Sequence, residues 1–96
     1  MKYIITESRL NKFILDWLDE NLTRIDYTSL PRVFFVRDND GVMFHDKRNG
    51  YTSVDGPLIG DDLYHMFNIE PDQIKEIIKL WLTTRHNLEP KIIEIN

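Results

Sequence analysis

The residues of this chain with chemistry to offer are three histidines, two serines and a run of acids beside glycine. His45, His65 and His86 have neither the HExxH-like spacing of a zinc site nor that of a facial metal triad. The chain contains no cysteine, so thiolate metal sites, disulfides and cysteine nucleophiles do not arise. Ser29 and Ser53 lack the glycine-flanked elbow that exposes a nucleophilic serine. Asp61 precedes His65 by four residues, which on a helix places carboxylate and imidazole on one face as an acid–base pair; helix capping by Asp61 and solvent exposure of His65 account for the same residues. Gly56-Pro57-Leu58-Ile59-Gly60 is followed by Asp61-Asp62 where a phosphate loop has Lys-Ser/Thr, and those carboxylates repel phosphate. No catalytic residue, cofactor or metal site is expected, and the chain does not read as an enzyme.

The stretch RDNDGVMFHDKRNGY, residues 37–51, invites a calcium-loop reading through Asp38, Asn39 and Asp40. With Gly41 at the sixth position of such a loop, Val36 stands first and Lys47 twelfth, where oxygen ligands are required. Asp38 followed by Gly41 suits instead a type I turn with a left-handed glycine bulge, pairing Asp38 with Val42, Val36 with Phe44 and Phe35 with His45. That register gathers Phe34, Val36 and Phe44 on the expected core face. Val33, Phe35 and Met43 fall on the other, with Arg37 and His45, as a second apolar face open to a partner. Asn49-Gly50 marks a second hairpin whose loop length stays open, three residues placing Val54 beside Phe44. Its tip, Lys47 and Arg48 with Tyr51 and either Arg32 or Arg37, is the one candidate for reaching a phosphate and stacking a base. Bases at a hairpin tip also guard against edge-to-edge aggregation, and Asp46 adjoins them.

These turns must be carried by a sheet with helices packed on it. Thr6 suits an N-cap, Ile5 and Leu10 a hydrophobic staple, and Leu10, Phe13, Ile14, Trp17, Leu18 and Leu22 form one apolar stripe. Residues 23–32 have no sustained period and read as a loop. Asp61 is placed to cap a short helix over Leu63, Met66 and Phe67. Pro71 opens a second long helix, stapled by Ile69 and Ile74, with Ile74, Ile77, Ile78, Trp81 and Leu82 as its stripe; KIIEI after Pro90 reads as a last strand. Trp17 and Trp81 are both expected in the core. Leu15 and Leu80 each lie about 60° beyond the stripes, so each helix has a flank that something must cover.

At 96 residues the chain reads as a single α+β domain, 1–96, with an antiparallel sheet of three to four strands, two amphipathic helices on one face and one short helix. Sixteen acids against twelve bases disfavour general nucleic-acid or anionic-membrane binding. The opening MKYIITESR is too short in apolar residues for a signal peptide and no run is long enough to span a bilayer, so a cytoplasmic setting is expected and the Asn21-Leu22-Thr23 sequon reads as chance. The stretches YIITESRLNKFILDWLDENL and DGVMFHDKRNGY resemble short hypothetical proteins of marine phages and marine metagenomes, with a Y-I-I-T-E-S-x-L-N-K opening and a Trp-Leu pair later in the first helix. The resemblance implies a phage-like setting, in which small acidic domains often bind host or virion proteins, and carries over no functional residue. The expected function is a noncatalytic protein-interaction or self-association module, its partner a second copy or another protein. Its candidate surface comprises Leu15, Leu80, Val33, Phe35, Met43, Lys47 and Arg48. The alternative is nucleic-acid contact through Lys47 and Arg48.

Overall fold

The computed structural model describes residues 7–27, 29 and 31–96. The expected N-cap Thr6, its staple residue Ile5 and the opening KYII lie outside the described residues. Helix α1, Glu7–Asn21, buries Ile14 and Leu18 and turns Leu22 inward just beyond its end. It also buries Leu15, while Phe13 stands 58% exposed. The buried stripe is thus rotated toward Leu15 by most of one residue's ~100° step. The cause is helix α3, Pro71–Arg85, which lies beside α1 on that flank. Arg85 pairs there with Asp16 and Asp19, and the Trp81 indole N–H donates to Asp19 Oδ1 at 2.8 Å. Leu15 is therefore helix–helix core and no free surface.

Helix α3 follows its expected pattern. Pro71 opens it, Ile69 and Ile74 are buried as the staple, and Ile77, Ile78, Trp81 and Leu82 complete the inward stripe. Glu70 forms a capping box with Gln73, its own N–H donating to Gln73 Oε1 at 2.9 Å. Ahead of it, Asp55 caps a π-helical turn, Gly56–Gly60, by accepting from the Leu58 N–H at 3.1 Å; helix α2, Asp61–Phe67, continues from that turn. The expected cap at Asp61 is corrected to Asp55, because helical winding begins six residues earlier.

Among the described residues the sheet has five strands in the order β1-β2-β3-β4-β5: Thr23–Asp26, Arg32–Arg37, Asp40–Asp46, Tyr51–Val54 and Ile92–Ile95. The first four pair antiparallel and β5 lies parallel to β4, so the sheet is mixed, not antiparallel. A parallel neighbour needs a long crossover, which the π-helical turn, α2 and α3 supply. Strand β1 occupies the segment expected as loop: TRID has one apolar residue, and its order comes from pairing with β2.

Asp38 and Asn39, with φ of 51° and 70°, form a two-residue turn between the paired Arg37 and Asp40. Two positive φ values make it type I′, which Asp and Asn tolerate. Phe35 then faces Met43, Phe34 faces Phe44, and Val36 faces Gly41, leaving Val42 as a bulge that turns inward beside Met43. From Arg32 to Phe35 the expected register slips by two residues, and beyond the bulge by three. An even slip keeps the same side chains together, so Val33, Phe35, Met43 and His45 do share a face, but it is the face the helices cover. The second loop holds four residues, Lys47 to Gly50, and sets Ser53 beside Phe44.

Gly41, expected to be the left-handed residue, does not have a positive φ, and a Cβ there would meet nothing within 4 Å. Gly50 has φ +75°, and its Cβ would stand 2.8 Å from Lys91 Cγ and 3.1 Å from Lys91 N. Gly41→Ala is expected to move the denaturation free energy by less than about 0.5 kcal/mol, whereas Gly50→Ala lowers it by about 1–3 kcal/mol. Urea midpoints of the two variants check this, and equal midpoints would overturn the turn assignment.

Candidate functional site: the open face of the sheet

The three described helices pack on one face of the sheet, against Val33, Phe35, Met43 and Val54, with Ile93 and Ile95 partly buried at that layer's edge. Alternation then commits Ile25, Phe34, Phe44, Tyr51 and Ile92 to the opposite face, where no described helix lies. An aromatic row crosses it. Tyr27 stands edge-on to Phe34 with ring centres 5.7 Å apart, Phe34 lies 6.3 Å from Phe44, and Phe44 lies 5.9 Å from Tyr51. Ile92, at the far strand, is 56% exposed. A shallow hollow of about 310 Å³ opens along the row, lined by Phe34, Gly41, Phe44, Ser53, Asp55 and Asn96.

Polar contacts hold this surface in place. The Arg32 guanidinium sits 5.0 Å from the centre of the Phe44 ring and 3.7 Å from Asp46 Oδ2. Asp46 accepts from the Arg48 backbone N–H at 2.9 Å and from its guanidinium at 3.0 Å, and the Arg48 bonds hold its carboxyl at about 2. The Tyr51 hydroxyl donates to Glu94 Oε2 at 2.8 Å, and that bond raises the phenol above its ordinary value. Asn96 Nδ2 donates to Ser53 Oγ at 2.6 Å. Phe44 and Tyr51 thus each have a polar partner, which preorganises that half of the row for contact.

The residues expected to form an interaction surface fall into three groups. Val33, Phe35, Met43 and Leu15 are buried under the helices and are corrected to core. Leu80 is 37% exposed and lines a groove of about 230 Å³ between α1 and α3 with Leu10, Ile69 and Ile77. Lys47 and Arg48 are exposed at the hairpin tip as expected, but Arg48 is tied to Asp46. Of the open face, Phe34 and Phe44 were expected in the core, and Ile25 and Ile92 drew no attention. The available signal was Arg32 and Asp46, which share their parity and mark it as the wetter side.

The histidines lie apart. His45 faces the helices, buried, with Nδ1 2.8 Å from Thr52 Oγ1, and burial lowers its pKa. His86 packs its ring 4.3 Å from Trp81 and 4.9 Å from Phe35; burial first, then the Arg24 guanidinium, lowers its pKa. His65 is exposed on α2, 5.3 Å from the Tyr64 ring, and among the described residues no hydrogen bond joins it to Asp61. Among the described residues no three His, Asp or Glu side chains gather to hold a metal, and no helix is long and apolar enough to cross a membrane. Set against protein-family models, curated proteins and solved structures, the chain matches none of them.

Proposed function

We propose that the protein is a noncatalytic interaction module that binds a protein surface through the open face of its sheet. The observation that carries this reading is the aromatic row Tyr27, Phe34, Phe44 and Tyr51, continued by Ile92, on a face that no described helix covers. Apolar surface of this kind, rimmed by polar groups, marks contact sites. Aromatic side chains supply large contact area at low conformational cost. The cysteine-free composition suits the reducing cytoplasm, where we place the protein. A phage-like setting, implied by the resemblance of the N-terminal half, suits a small acidic binding domain.

Immobilised wild type is expected to retain at least one protein from a lysate of the source cells that the Phe44→Glu variant loses and the Phe13→Glu variant keeps. Phe13 is as apolar as the half-buried Phe44 and more exposed, but stands on α1. Identical capture by all three, or loss only with Phe13→Glu, overturns the reading. A second reading is favoured by Arg32 over the Phe44 ring with Lys47 beyond it, an arrangement able to hold a single-stranded nucleic acid. Asp46 offsets part of the charge of Arg32 and Arg48, and the chain carries −4 overall, so oligonucleotides are expected not to bind at physiological salt. Micromolar binding lost in Lys47→Glu/Arg48→Glu would replace the protein-binding reading with this one.

A further inference from the structure

On the side of the sheet that the helices cover, a hollow of about 280 Å³ opens beside His45, between the loop from Lys47 to Gly50 and the connection from α3 to β5. Backbone bonds fix its walls: the Lys91 N–H donates to the Gly50 carbonyl at 2.8 Å and the Leu88 N–H to the Leu82 carbonyl at 2.9 Å. Lys47, Arg48 and Lys91 line it, with Glu89 as the one acid among its lining residues. Arg48 is bonded to Asp46, but among the described residues neither Lys47 nor Lys91 has an ion-pair partner, and both are exposed. Two uncommitted ammonium groups thus meet at one cavity of an acidic chain.

His45 is 2% exposed and still lines the hollow. Its Nδ1 lies 2.8 Å from the hydroxyl oxygen of Thr52, a side chain that is 0% exposed. A buried hydroxyl has one proton to place, and among the described residues no acceptor other than His45 Nδ1 is bonded to it. The hydroxyl therefore donates, Nδ1 accepts, and the ring proton sits on Nε2. Burial, the first of the causes acting on it, lowers the His45 pKa, so near neutral pH the ring is an uncharged, fixed N–H donor. No hydrogen bond occupies Nε2, and it is not sealed in the core. Among the described residues the buried side-chain polar atom without a partner is His86 Nε2, so His45 Nε2 meets solvent, and it does so at the hollow.

We propose that this hollow binds the phosphate group of a small soluble molecule. His45 Nε2–H donates from the floor, the ammonium groups of Lys47 and Lys91 supply charge at the mouth, and Arg48 adds a positive charge that Asp46 partly offsets. A phosphate group carries about −1.5 to −2 at neutral pH and offers acceptor oxygens in three directions, which suits donors carried on separate segments. A carboxylate carries a single charge and suits one planar fork. Glu89 disfavours a second phosphate group, so the ligand is a monoester and not a polyphosphate. The site lies apart from the aromatic row, so its occupation does not compete with a protein bound there.

Proton and nitrogen NMR at about pH 7.5, with inorganic phosphate replacing chloride at constant ionic strength, tests the proposal. The neutral His45 ring is expected to carry its proton on Nε2. Its resonances are expected to shift saturably with phosphate, with a dissociation constant of about 1 mM, while those of the exposed His65 stay in place. Lys47→Gln/Lys91→Gln is expected to weaken binding at least about tenfold. Lys75→Gln/Lys79→Gln, the same change of net charge beside the adjoining hollow, is expected to weaken it less than about twofold, with melting curves showing both variants folded. Glycerol phosphate is expected to bind at least as tightly as inorganic phosphate, and phosphatidylcholine vesicles containing phosphatidic acid are expected not to sediment the chain. A His45 proton on Nδ1, shifts that do not saturate, or equal weakening by the two lysine pairs overturns the proposal. Sedimentation with the vesicles without binding of either soluble phosphate overturns it in favour of a membrane headgroup.

Discussion

Trp81→Ala is expected to cost about 3–5 kcal/mol of folding free energy, a large share of the roughly 5–15 kcal/mol available to a domain of this kind. Trp81 is 0% exposed, its ring centre lies 4.9 Å from Phe35 and 4.3 Å from His86, and its indole N–H donates to Asp19. Truncation removes the contact between α3 and β2 and leaves a cavity that three elements must close. Asp19 keeps Arg85 as its partner, so the loss comes from packing and not from an orphaned carboxylate. Trp17→Ala is expected to cost only about 1–2 kcal/mol. Its ring is half-buried, edge-on to Phe67 at 6.3 Å with the Arg37 guanidinium 5.3 Å from its centre. Thermal denaturation separates the two: a fall in Tm of at least about 12 °C for Trp81→Ala, and a clearly smaller one for Trp17→Ala. Equal shifts would mean that α1 presents its expected stripe to the sheet after all.

The contrast between the tryptophans marks how far the sequence reaches. The same spacing identified both helices and the Ile69–Ile74 staple of α3, because apolar period and capping are local signals. It set α3 correctly, since Ile74, Ile77, Ile78, Trp81 and Leu82 leave no rival face. In α1 the rival stripe through Leu15 is almost as apolar as the one through Phe13, and the choice between them was made by α3, 60 residues away in sequence. Strand β1 was illegible for a related reason. Arg24 and Asp26 look like loop residues, yet they bond one another at 2.8 Å beside the helices, and Ile25 joins the open face opposite Phe34. The direction of β5 follows from a crossover of three helical segments, information that lies in topology and not in KIIEI itself.

The sheet faces were harder still, because VFFV is apolar at every position and alternation cannot rank two apolar faces. Grouping by parity survived even a wrong turn type, since a slip of two residues returns each side chain to its own side. What parity left open was which group the helices would cover. Arg32 and Asp46, in phase with Phe34 and Phe44, argue for water or a partner on that side. Arg37, in phase with Phe35, argues the other way until Asp62 and the Trp17 ring are seen to receive it. The candidate site therefore depended on a choice between two faces that only the helices could make.

Phe35→Glu puts that choice to direct test, and it carries the largest effect expected here. With Phe35 on a partner-binding face, as the sequence alone suggests, the substitution yields a folded monomer. In the structure Phe35 is 0% exposed, wedged between Trp81 and His86. Losing the ring alone is worth about 3–5 kcal/mol. A carboxylate in its place must either be desolvated without a partner or take up a proton, at a further cost of several kcal/mol. Together these match or exceed the stability of the domain, so Phe35→Glu is expected to be unfolded at 25 °C. Phe44→Glu, one strand over and facing out, keeps water within reach and has Arg32 beside it; it is expected to cost about 1–2 kcal/mol and to stay folded. Far-ultraviolet circular dichroism decides the matter. A cooperative melt for Phe44→Glu and none for Phe35→Glu places the helices over Val33, Phe35 and Met43. The reverse pair of results would hand the core back to Phe34 and Phe44, and with it would go the open aromatic face on which the binding proposal depends.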